Sequence, residues 1–185
     1  MNSKYYENLI KTVLEHSTSQ NWVDAVNEWY IDDIEEDETL SESCICGHPN
    51  LRYLFTIKNE TNNNTLFPIG SECIKKFERD ELYQEATIKE KLFELYHKVE
   101  NNSFIEFNSK LFSRKLLKYL YDAGAFKANE YNHYNPRQDY NFMLKTFNQK
   151  NPTTSQQDKK VKAIILNSIK PFIQEQLKNK IKHKN

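Results

Sequence analysis

All three cysteines of the 185-residue chain fall between positions 44 and 73, together with two of its three glycines. The segment Cys44-Ile45-Cys46-Gly47-His48 places three soft or borderline metal ligands within five residues, and Gly70-Ser71-Glu72-Cys73 supplies one more after a hairpin-length segment. Thiolate and imidazole ligands in a set of four make a tetrahedral structural zinc site. Cys44, Cys46 and Cys73 are therefore candidate thiolate ligands of Zn2+. His48, nearest in sequence, is the candidate fourth ligand; it could instead point outward, and His97 lies far along a later helix. The Cys-x-Cys spacing departs from the usual two-residue knuckle and leaves the ligand geometry open. Buried free cysteines and redox-active thiols are the competing readings, but zinc explains the clustering with fewer assumptions.

Such a site needs a knuckle, a hairpin and a helix to hold it. Gly47 suits a tight knuckle turn. Leu51, Tyr53, Phe55 and Ile57 alternate with polar residues as in a strand, and Asn59 to Thr65 is turn-rich. Leu66-Phe67-Pro68-Ile69 reads as a returning strand that Pro68 confines to an edge. Gly70 lets this strand pass into a helix with Ser71 as its cap, and that helix would favour a Cys73 thiolate at its positive end. Ile74 and Phe77 form its inner face. Ahead of the knuckle, Tyr6, Leu9, Ile10, Val13 and Leu14 define one amphipathic helix. Trp22, Val23, Val26, Trp29 and Tyr30 suggest a second. Asp32 to Glu38, with six carboxylates in seven residues, reads as a solvated loop or helix end.

After the knuckle, a helical stripe runs from Ile88 through Leu92, Leu95, Tyr96 and Val99. Ser113 caps a helix that ends near Gly124, Tyr131 to Pro136 is an aromatic loop, and Tyr140 to Phe147 is helical. Thr154 or Ser155 caps a last helix, bent at Pro171, whose basic end from Lys178 to Asn185 is expected to fray. The expected fold class is α+β and mostly helical: two N-terminal helices, a zinc-bound β-hairpin plus helix, then a helical region.

Zero net charge hides a division. Residues 1–100 carry twenty Asp/Glu against ten Lys/Arg, and residues 101–185 six against sixteen. The expected regions are thus an acidic 1–100, with the finger at about 44–79, and a basic 101–185. The basic region offers Lys110, Arg114, Lys115 and Lys118 on one helix and Lys159, Lys160 and Lys162 on another. Lysines neutralise phosphates, and exposed rings such as Tyr131 and Tyr134 stack on unpaired bases. Tyr121 and Tyr140, spaced with leucines, read as core. No apolar run is long enough to span a membrane. With no signal-like start and three cysteines, which cannot all pair within one chain, the expected location is the cytoplasm. A P-loop, a dinucleotide fingerprint and a His-Glu-x-x-His motif are absent, and the helix after Cys73 lacks the histidine an HNH nuclease needs. Enzymatic activity is the minority expectation.

The string Glu28-Trp29, an acidic linker, Cys44-Ile45-Cys46-Gly47-His48, Asn59 and Ile69-Gly70-Ser71-Glu72-Cys73-Ile74-Lys75-Lys76-Phe77 resembles a group of small zinc-finger proteins of phages, mobile elements and bacteria. The resemblance covers about residues 25–80 and implies a treble-clef-like finger, zinc, and a role in nucleic-acid binding or phage–host interaction. It fixes no activity. Two functions follow as expectations. One is nucleic-acid binding (DNA or RNA), with structural zinc and a basic half contacting phosphates. The other is binding of a host protein, as in a phage-type inhibitor of a defence enzyme whose acidic segment imitates phosphates.

Overall fold

A computed structural model describes residues 3–183, with side chains from 3 to 178. The chain is α+β and mostly helical, with one three-stranded antiparallel sheet. It forms two compact units that divide between Glu90 and Lys91. Among the described residues no helix is long and apolar enough to cross a membrane.

The first unit begins with α1 (Lys4–Glu15), capped by the Ser3 hydroxyl and buried through Leu9 and Val13. The expected second helix is cut short: α2 covers only Trp22–Ala25, a 3-10 turn follows to Glu28, and Val23 is 70% exposed. Trp29 and Tyr30 instead open strand β1 (Trp29–Glu36), so most of the acidic run is strand rather than loop. Trp29, Ile31 and Ile34 are buried. An irregularity at Asp32 keeps both isoleucines on the inner face although they are three residues apart. β2 (Tyr53–Asn59) is central, between β1 and β3 (Thr65–Ile69), with Ile31 opposite Ile57 and Phe55 opposite Ile69. Pro68 sits on an edge strand, where a missing N–H is tolerated. The helix after it, α3 (Ser71–Lys75), takes Gly70 rather than Ser71 as its cap, with no side-chain cap bond. Ile74 and Phe77 are buried as expected. α4 (Asp80–Glu100) then runs across the division between the units.

Loop contacts also tie the first unit together. Glu28 accepts hydrogen bonds from the backbone of Thr18 (2.8 Å) and Ser19 (2.7 Å) and from the Asn59 side chain (2.6 Å). The buried Asn59 also accepts from Thr61 and Asn62, shaping the β2–β3 turn. Trp29 Nε1 donates to Ser17 Oγ at 2.9 Å.

In the second unit, α5 (Arg114–Asp122) is capped by Ser113 and buries Leu116, Leu117 and Leu120. It ends where Gly124 (φ +77°) lets Ala125 N–H reach back to Leu120 O. A 3-10 turn (Glu130–Asn132) precedes α6 (Pro136–Asn148). α7 (Ser155–Ile164) opens on a reciprocal Thr154–Gln157 capping box. A π turn (Ile165–Ile169) joins it to α8 (Lys170–His183). Here Lys170 N–H bonds to Ile165 O, five residues back, and Pro171 has no N–H to offer. The expected disturbance at Pro171 is thus a widened turn just before it. The basic end stays helical through His183, and its last two residues lie outside the described range. Tyr121 and Tyr140 are half-buried and stacked, with ring centroids 4.7 Å apart.

Candidate metal centre and basic groove

Gly47 sits at φ +91°, a conformation that L side chains rarely adopt. That turn closes the knuckle: Gly47 N–H bonds to Cys44 O at 2.7 Å and Cys44 N–H to His48 O at 2.9 Å. Ile45 N–H donates to Pro68 O at the end of β3, and the Asn8 side chain of α1 donates to Cys46 O. Gly70 serves by closeness, since a Cβ there would lie 3.0 Å from Leu51 Cδ2. Its N–H points at Cys44 Sγ, 3.4 Å away.

These constraints bring three sulfurs together. Cys73 Sγ lies 3.5 Å from Cys44 Sγ and 3.4 Å from Cys46 Sγ, and all three fall within 4.8 Å of one another. A disulfide needs about 2.05 Å, and all three cysteines are free. Tetrahedral ligands about 2.3 Å from one ion would stand about 3.8 Å apart, close to what is seen. Cys44 and Cys46 are buried, and Cys73 is partly exposed. Three clustered, largely buried cysteines with this spacing can bind a metal ion.

The fourth expected ligand does not join them. His48 is exposed, its ring edge-on to Tyr5 with centroids 5.3 Å apart, and it is not among the side chains that converge on the sulfurs. The cluster adjoins a cavity of about 320 Å³, whose walls include His48, Tyr5, Tyr53, Glu72 and Lys76.

As thiols, the three share their protons unevenly. The sulfur contact with Cys73, against the effect of burial, lowers Cys44 to about 6; the backbone N–H groups of Cys46 and Gly70 add to this. Cys73 is itself pushed up, first by that same contact and then by burial. Burial also pushes Cys46 up, opposed by the His48 N–H.

The basic residues do not share one surface. A groove of about 800 Å³ in the second unit unites Tyr131, Lys159 and Lys160 with Lys127, which carried no motif in the sequence. Tyr131 is 88% exposed. Asp139, Ile164 and Ser168 are the buried part of the lining, and Asn129, Gln156 and Asn167 add polar groups. Asp139 looks in the sequence like an ordinary acid in a first helical turn.

Lys162, by contrast, lies 5.8 Å from the Phe104 ring centroid and lines a different depression. Tyr134 is exposed but outside the groove lining. On α5, Lys118 pairs with Asp122, Arg114 bonds to Asn148 and Lys115 is exposed; Lys110, expected on the same helix, instead lies exposed in the turn before the Ser113 cap. None of these four lines the groove. Compared with known proteins, the chain matches no family model, no curated protein and no solved structure.

Proposed function

We propose that the protein is a zinc-containing nucleic-acid-binding protein: Cys44, Cys46 and Cys73 hold a structural Zn2+, and the groove of the second unit takes single-stranded nucleic acid. The observation that carries the reading is the exposed Tyr131 ring at a groove that also presents Lys127, Lys159 and Lys160. An exposed ring can stack on any base, and nearby ammonium groups can neutralise the phosphates on either side. The zinc assignment rests on the all-sulfur donor set and its separations, which suit a soft, tetrahedral ion. Free thiols fit a reducing compartment such as the cytoplasm.

The test is fluorescence anisotropy with a labelled oligothymidylate against salt, on the native chain and on a variant with Lys127, Lys159 and Lys160 replaced by Gln. Binding that weakens with salt and falls in the variant supports the reading. Unchanged affinity in the variant overturns it.

The edge position of β1 favours a second reading, binding of a basic host protein as in a phage-type inhibitor. Asp32, Asp33, Glu35 and Glu38 are exposed on or beside that strand. Asp37 is less available, because its carboxylate accepts from Thr39, Ser41 and Glu42. Replacing the four exposed acids by Asn and Gln should abolish capture of such a partner, and retained capture would end this reading.

A further inference from the structure

We infer that the groove is selective for guanine, a deepening that rests on the nucleic-acid reading above. The observation is a buried carboxylate, the one acid in a groove otherwise lined by lysines, neutral polar groups, Tyr131 and the apolar Ala163 and Ile164. Asp139 is 3% exposed. Its Oδ2 accepts from Asn132 Nδ2 at 2.7 Å. Its Oδ1 forms an ion pair with Lys160 Nζ at 3.8 Å, a separation too long for a hydrogen bond. An ionised carboxylate has about four lone-pair sites and no donor. Oδ1 thus keeps capacity for a donor arriving in the groove, and Oδ2 keeps its second lone pair.

A carboxylate so placed discriminates among bases by their edges. Guanine presents two adjacent donors, N1–H and the 2-amino group, which match the two carboxylate oxygens. Thymine and uracil offer one N–H flanked by two carbonyls, and those carbonyls would face Asp139 unfavourably. Adenine and cytosine offer an amino group beside a ring-nitrogen acceptor, so one half of the pairing is lost. Unpaired bases are commonly read on this edge while stacked on an aromatic ring, and Tyr131 supplies the ring at the same groove. The π turn contributes too: Asn167 and Ser168 line the groove from within Ile165–Ile169, the kind of irregularity often found at functional sites.

The experiment compares a labelled oligothymidylate with the same oligomer carrying guanine at every second position, and with a third carrying hypoxanthine, which lacks the 2-amino group. The full chain should bind the guanine oligomer about tenfold more tightly than oligothymidylate, the size of one good bidentate pair, with the hypoxanthine oligomer between them. D139N should bring the guanine and thymine affinities within about twofold of each other, because an amide replaces one acceptor with a donor. Equal affinity of the native chain for all three oligomers overturns the guanine selectivity and leaves nucleic-acid binding standing. Binding to none of them overturns both. The comparison on the native chain stands even if D139N fails to fold.

Discussion

Cys73 Sγ lies within 3.5 Å of both knuckle sulfurs, so this residue joins the start of α3 to the turn that carries Cys44 and Cys46. A structural zinc contributes on the order of 10 kcal/mol of apparent binding free energy at neutral pH, against about 1 kcal/mol for an ordinary hydrogen bond. Cys73→Ser is therefore expected to lose the metal, by elemental mass spectrometry, and to melt at a clearly lower temperature. His48→Ala is expected to keep a full equivalent of zinc, and a loss there would return His48 to the ligand set. Glu28 carries a pH dependence. Burial works against its charge, but the Ser19, Asn59 and Thr18 donors outweigh it and lower its pKa from 4.5 to about 2. A carboxylate lowered on folding stabilises above its unfolded pKa, and that contribution fades as pH falls from 4.5 toward about 2. Between those values Glu28→Gln should lose less stability than the native chain, followed by tryptophan fluorescence.

Among the elements, those set by local chemistry were readable before the fold was known. Ser113 and Gly124 bound α5, and Thr154 opens α7, because caps and left-handed turns depend on one or two residue types. β1 was not readable. Its bulge at Asp32 spoils the strict alternation that marks a strand, and its run of acids argues for solvent. The candidate metal centre divided in the same way: the clustering of the three cysteines was legible from residue type and spacing, whereas the placement of His48 depends on packing against Tyr5. The groove needed the fold, since Lys127 and Tyr131 lie about thirty residues before Lys159 and Lys160. Glu28, Trp29 and Asn59, set among the finger residues by their pattern, make structural bonds. Asn59 is fully buried and its side chain holds three partners. Asn59→Ala should therefore cost about 2–3 kcal/mol through the donors and acceptors it strands, seen as a lower urea midpoint with an unchanged slope.

For the whole molecule, formal neutrality is a poor guide to behaviour. Residues 101–185 carry a ten-charge excess of Lys and Arg, balanced by the opposite excess in residues 1–100. A neutral chain would be expected to show little salt dependence in binding a polyanion. The three groove lysines instead predict a slope of about −2 for the logarithm of the association constant against that of salt concentration, given about −0.7 per phosphate neutralised on a single strand. A slope near zero would mean that the lysines do not meet phosphates. The acidic excess has a consequence for how copies of the chain treat each other. β1 ends the sheet, and the unpaired backbone of an edge strand is a template on which another chain can add. Here that template bears exposed carboxylates at Asp32, Asp33 and Glu35 and is kinked by a bulge. A second copy arriving edge to edge would set these acids against its own, so the sheet stops at three strands and resists growth into a fibre.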